Sequence, residues 1–175
     1  MGVSGWTVGT MANLPHEGDI TRELEPSWFR RADGAAVMVF RDQGDTFHKL
    51  AAVSTDRGVT WSDPVETAMP DARTKQSAGN LPDGTAFLVG NPTGTKFRFP
   101  LAIALSDDGR VFDHAYLLRD GGADMQKQRF KGKAKRPSYA YPKSIVWGDD
   151  LYVAYATNKE DAEVTRIPLK SLTIE

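Results

Sequence analysis

Hydrophobic residues along this chain come in short bursts, with polar and turn-forming residues between them. Ala35–Phe40, Lys49–Val53, Thr85–Gly90, Leu101–Leu105, Ser144–Trp147, Leu151–Ala156 and Glu163–Ile167 are each a few residues long and bounded by Gly, Pro, Asp or Asn. Runs of that length with such boundaries predict β-strands separated by turns. No window long enough for a helix carries apolar residues at the helical period, so the pattern predicts an all-β protein.

The turns repeat. Asp33-Gly34 and Asp83-Gly84 stand about 50 residues apart, each ahead of an apolar run. Asp-Gly between strands signals a hairpin, because Gly takes the positive φ of a tight turn at little cost. Asp149-Asp150 holds the same place before Leu151–Ala156, and Ser54-Thr55-Asp56 and Ser106-Asp107-Asp108 recur at a similar interval. A period near 50 with several strands per unit is the sequence form of a β-propeller blade, and about three units fit. Their bounds are roughly 20–70, 71–125 and 136–175. Propellers close at typically four to eight blades, so three would leave sheet faces and an edge uncovered. Two expectations follow: preceding blades from a longer chain, or self-association of copies into a ring.

Composition narrows the chemistry. The 175 residues are 40 % hydrophobic and 26 % charged, those of one ordinary globular domain able to bury a core without covalent staples. Lys plus Arg is 22 against 23 for Asp plus Glu, a net charge of −1, so neither a nucleic-acid nor an anionic-membrane partner is expected. Cysteine is absent, which excludes a disulfide scaffold, a thiolate metal site and a cysteine nucleophile, and leaves the compartment open. His16, His48 and His114 lack metal-ligand spacing, and neither a metal nor another cofactor is expected. The stretch from Met1 to Trp6 has neither the basic nor the apolar part of a signal peptide, and no run reaches the roughly 18 apolar residues of a membrane span. An N-terminal Met-Gly suggests myristoylation, but Trp6 stands where that motif needs Ser or Thr.

One segment matches a longer pattern. Residues 54–61 read Ser-x-Asp-x-Gly-x-Thr-Trp at every position, through Ser54, Asp56, Gly58, Thr60 and Trp61. This segment resembles the Asp box of the sialidase (BNR-repeat) superfamily, a structural hairpin turn in which the carboxylate accepts backbone N–H bonds and Trp covers the blade edge. A second, degenerate copy runs from Ser106 to Phe112, one residue short and with Phe112 in place of Trp. Glu25-Pro26-Ser27, Arg41, Arg98 and Tyr141-Pro142 follow in an order similar to the carboxy-terminal half of a sialidase-like six-bladed propeller.

The resemblance implies roles. In that family a tyrosine is the nucleophile, a glutamate polarises it, and three arginines clamp the substrate carboxylate. A neutral phenol is not repelled by the carboxylate on the anomeric carbon of a sialic acid, and sialidases are the tyrosine exception to the two-carboxylate scheme. Tyr141 is then the implied nucleophile, Glu25 its base, and Arg41 and Arg98 two of the clamp, where the planar guanidinium binds carboxylate bidentately. The family's first arginine and its acid/base aspartate belong to earlier blades, so this chain by itself is expected to be weakly active or inactive. Asp42 is no substitute, because alternation points it away from Arg41.

Plainer readings stand beside these. Glu25 is equally a solvated loop carboxylate, and Arg41 and Arg98 strand-end charges. Tyr139, two residues from Tyr141 on the same strand face, competes for the nucleophile's role. Asn91, before Pro92, is a turn residue or a contact to a substrate hydroxyl. The basic stretch 126–137 is a solvated loop or an aid to capturing an anionic substrate. The implied activity is that of an exo-acting glycosidase on a terminal acidic sugar. A non-catalytic glycan- or protein-binding propeller module and a uronate polysaccharide lyase are the alternatives, since propellers host many functions.

Overall fold

The computed structural model describes residues 4–174. Its strands are β1 (Glu23–Arg30), β2 (Ala36–Asp42), β3 (His48–Ser54), β4 (Val65–Pro70), β5 (Ser77–Asn80), β6 (Ala86–Gly90), β7 (Leu101–Ser106), β8 (His114–Arg119), β9 (Tyr139–Trp147), β10 (Asp150–Thr157) and β11 (Asp161–Pro168). Among the described residues the only helical turns are two short 3₁₀ segments, and no helix is long and apolar enough to cross a membrane. The strands form three antiparallel sheets in chain order, β1-β2-β3-β4, β5-β6-β7-β8 and β9-β10-β11. The third sheet has three strands where the first two have four.

The sheets stack face to face as successive blades of a partial β-propeller. Phe29, Val37 and Val39 of the first pack on Ala86 and Leu88 of the second. Phe87, Val89, Ile103 and Leu105 on the second pack with Leu151, Val153, Tyr155 and Ile167 of the third. Phe112, the stand-in for Trp in the degenerate box, meets Phe29 edge to face with ring centroids 5.4 Å apart. Met11 and Leu14, ahead of β1, lie on Phe40, Leu50, Ala52 and Trp61 of the first blade.

At the hub, β1, β5 and β9 are joined by serine side chains rather than by a backbone ladder. The Ala78 N–H donates to Ser27 Oγ at 2.8 Å, and the Ser144 N–H donates to Ser77 Oγ at 3.0 Å. Asn80 closes the same seam, accepting from the Arg30 N–H and donating to the Arg30 carbonyl, both at 2.8 Å. Such bonds satisfy inner-strand backbone groups that would otherwise be stranded at a narrow axis.

The Asp box folds as its sequence implies. Thr60 donates to Asp56 from its backbone N–H at 2.9 Å and from its hydroxyl at 2.6 Å. Ser54 Oγ accepts the Gly58 N–H at 2.8 Å, and Trp61 Nε1 donates to the Gly58 carbonyl at 3.1 Å. Gly58 has φ 86, a conformation that glycine adopts without strain. The degenerate box repeats the pattern through Ser106 and Asp108, and its Gly109 is pressed against Arg31, where a Cβ would come within 2.9 Å of the side chain. Both boxes follow the third strand of their blade and lie beside the hairpin between its first two strands, at the opposite end of the sheets from Glu25 and Arg41.

The bonds from Thr60 and Ser54 hold the Asp56 carboxyl down to about 2, from an ordinary 3.8. Its folded-state value lies below its unfolded one, so the stability it contributes is whole above the unfolded value and is lost as pH falls through the folded one. Asp56→Asn should therefore lower the urea midpoint at neutral pH, and the gap to wild type should close as the pH falls from 3.8 toward about 2. Unfolding curves recorded across that range check it.

Candidate functional site

Strand polarity gathers the chemistry at one end of the fan. Glu25 lies near the start of β1, Arg41 near the end of β2, Arg98 just before β7 and Tyr141 near the start of β9. Arg41, Ala72, Arg73, Lys96, Arg98 and Arg136 line a cleft of about 230 Å³ there. A larger concavity of about 570 Å³, lined in part by His16, Arg22 and Thr46, has its polar groups committed elsewhere. Arg22 and Thr46 bind Asp42, and His16 meets the Leu14 carbonyl.

Two bulges aim the key side chains. The β1–β2 register slips between Leu24 and Ser27, and the β9–β10 register slips between Ala154 and Ala156. At these slips Glu25 has φ 55 and Tyr141 φ 59, each just before a proline. Arg73 and Lys159, at φ 52 and φ 56, share the left-handed conformation. Left-handed backbone at non-glycine residues costs of order 1–3 kcal/mol each and concentrates at functional sites. The β9 bulge also corrects the expectation that Tyr139 and Tyr141 share a face. The extra residue breaks the alternation, so Tyr139 is buried edge-on to Tyr155 while Tyr141 is 38 % exposed at the mouth.

Tyr141 sits among cations. The Arg98 guanidinium lies 5.4 Å from the ring centroid and the Lys159 ammonium 5.8 Å. Hydrogen bonding from Arg98 is the largest influence holding the phenol below its ordinary value; burial opposes it, and the charges of Arg98 and Lys159 reinforce it. The Glu25 carboxylate acts the other way, as the smallest of these influences. Glu25 Oε2 is buried, stands 3.6 Å from Arg41 Nη1 and accepts no hydrogen bond among the described residues.

Beneath the cleft lies a buried ion pair. Lys49 Nζ and Asp71 Oδ1 are 2.8 Å apart, with side chains 2 % and 0 % exposed. The ammonium also donates to the Thr74 carbonyl and to Gln76 Oε1, both at 2.8 Å. Gln76 Nε2 in turn donates to the Glu25 carbonyl at 2.8 Å and the Val39 carbonyl at 3.0 Å. The pair thereby fixes the backbone of the Glu25 bulge. Burial pushes the lysine down and the aspartate up, each countered by the other's charge. No signal in the sequence marks this network, because a lysine inside an apolar run reads as an edge charge.

The structure does not bring Asn91 to the mouth. It is 1 % exposed and its amide donates to the carbonyls of Pro100 and Tyr139, at 2.9 and 3.1 Å, tying the second blade to the third. Asp42 is fully buried and held by Arg22, Thr46 and the Gly44 N–H. Two cations of the basic stretch are neutralised, since Arg129 binds Glu160 and Asp161 and Lys135 binds Glu160. Arg136 alone of its cations lines the cleft. Arg73 and Lys96 went unnoticed in the sequence because they sit in loops whose folding back no periodicity reports. Among the described residues no cluster of His, Asp or Glu could hold a metal ion.

A family model described as BNR repeat-like domain matches residues 1–153. The chain belongs to the BNR repeat-like family. Among solved structures it is similar to a sialidase at 31 % identity and a TM-score of 0.69, over 82 % of this chain and 13 % of that one. It is also similar to the intramolecular trans-sialidase from Ruminococcus gnavus in complex with oseltamivir carboxylate, at 17 % identity and a TM-score of 0.62, over 86 % and 34 % of the two chains. The α-L-arabinanase from Penicillium chrysogenum, complexed with arabinobiose, matches at 17 % identity and a TM-score of 0.60, over 92 % and 50 %. The chain thus spans half or less of each of these proteins. No curated protein matches it. This BNR repeat-like protein has the propeller fold of glycoside hydrolases, and its Asp boxes lie at the opposite end of the blades from its basic cleft.

Two outcomes test the geometry. Lys49→Met leaves the Asp71 carboxylate buried without its partner and should cost about 3–5 kcal/mol in urea unfolding, whereas replacing both residues by apolar ones should recover most of that loss. Arg98→Ala removes the main support of the phenolate and should move the Tyr141 titration upward, read as the change in tyrosinate absorbance against a Tyr141→Phe control.

Proposed function

We propose that this chain contributes to a sialidase-like glycoside hydrolase site acting on a terminal acidic sugar. Arg41 and Arg98 would receive the sugar carboxylate, and Tyr141 would attack the anomeric carbon. The observation that carries this reading is the convergence of two guanidinium groups and one cation-supported phenol, from three blades, at one mouth. Guanidinium is the matched partner for carboxylate, being planar, permanently charged and able to bind in a fork. As the tyrosine oxygen bonds to the anomeric carbon, the glycosidic C–O bond breaks, the aglycone leaves as its anion and is protonated by water, and the phenol's proton passes to Glu25. Water then gives its hydroxyl to the sugar and its proton to the tyrosine oxygen, restoring the phenol, while Glu25 returns its proton to solvent. Glu25 suits the base's role because its buried Oε2 faces Arg41 at 3.6 Å and accepts no hydrogen bond among the described residues. Its backbone is pinned by Gln76.

The test uses a fluorogenic α-sialoside with a phenolic aglycone, whose departure needs little help from an acid. Wild type should release the fluorophore, and Tyr141→Phe should abolish release while retaining affinity for the sugar. Arg41→Ala and Arg98→Ala should each weaken binding about tenfold or more, the worth of a charge-assisted hydrogen bond. Binding without turnover would favour a glycan-binding module. An unsaturated product absorbing in the ultraviolet would favour a lyase. Affinity indifferent to both arginine substitutions would end the carboxylate-clamp reading.

A further inference from the structure

The mouth of the cleft holds more positive charge than one carboxylate can use. Arg73 is committed to Asp45 and to the Gln43 carbonyl, and Arg41 faces Glu25. Among the described residues Lys96, Arg98, Arg136 and Lys159 have no ion-pair partner. Like charges held together repel unless an anion joins them. Here the fold keeps two of them together. The Arg136 guanidinium donates to the Lys96 carbonyl at 3.3 Å, which ties the loop before β7 to the loop before β9. Backbone pairing of Arg98 with Ser138 and Tyr139 continues the same seam. The neighbouring Arg129 and Lys135 are neutralised by Glu160 and Asp161, and of the loop's unpaired cations among the described residues Arg136 is the one that lines the cleft.

We propose that Lys96 and Arg136 form a second anion subsite beside the arginine clamp. The cleft then takes an oligosaccharide in which the sugar next to the terminal acidic one also carries a carboxylate, in preference to a terminal acidic sugar on a neutral chain. The proposal rests on the clamp reading above and adds the identity of the penultimate sugar. Lys96 and Arg136 are both exposed at the rim, so an anion reaching them remains partly solvated, and the gain depends on ionic strength.

The experiment compares two probes by calorimetry: sialyllactose, with one carboxylate, and its α2,8-linked disialyl counterpart, with two. Wild type should bind the second about tenfold more tightly at low salt, the scale of one charge-assisted contact. That ratio should fall toward one near 1 M salt, where screening acts over ~3 Å. In the double variant Lys96→Ala, Arg136→Ala, checked for folding by circular dichroism, the ratio should fall toward one at low salt while sialyllactose still binds. Equal affinity of wild type for the two probes, or an undiminished ratio in the double variant, overturns the second subsite and leaves the clamp standing. Failure of the folded wild-type chain to bind either probe overturns the clamp and the subsite together.

Discussion

A lysine ammonium and an aspartate carboxylate, buried against each other where water does not reach, hold the backbone that leads into the cleft at Ala72 and Arg73. Separating Lys49 from Asp71 would strand a charge in the interior, so the pair does not part while the blade is folded. Gln76 extends it, its oxygen on the ammonium and its nitrogen on two carbonyls of the first sheet. A residue in a left-handed conformation ahead of a proline does not hold its place by local preference. Glu25 keeps its φ of 55 because its carbonyl is held from below. The value of such a pair lies in geometry more than in net stability, since desolvation offsets most of its attraction.

Convergence at the mouth follows from blade polarity. Each inner strand starts at the cleft and runs away from it, so the first residues of β1 and β9, the end of β2 and the approach to β7 meet there although far apart in sequence. The Asp boxes occupy the other end, where they stiffen turns and seal the first blade to the second through Phe29 and Phe112. Glu25, Arg73, Tyr141 and Lys159 carry left-handed backbone around the cleft, and the serine links at the hub and the packed inter-blade cores hold the frame that keeps them so.

Arg98 joins the two demands of the proposed chemistry. It sits over the phenol, holding its titration down, and it belongs to the same cleft as Arg41. A carboxylate entering between the two guanidinium groups would compete with the phenol for Arg98. Lys159, on the same ring, supports the phenol independently. The Glu25 carboxylate opposes that downward shift.

The sequence by itself determined the strands with apolar runs, the hairpins at Asp-Gly and the Asp box, because period-two patterning and turn chemistry are local. The hairpins imply a strand ahead of each Asp-Gly, where β1 and β5 lie, but no apolar run marks β4 or β8. β5 carries a glycine and a serine that bonds across the hub, and β4 and β8 are outer strands with exposed, mixed faces. The resemblance singled out Glu25, Arg41, Arg98 and Tyr141, but only the tertiary structure distinguished Tyr141 from Tyr139. A single bulge inverts the alternation on which facing arguments rest. Only the tertiary structure, too, buried Asn91 and Lys49 and brought Lys96 and Arg136 to the cleft. Burial and loop placement are set by which surfaces meet across blades, and no spacing along one chain records that.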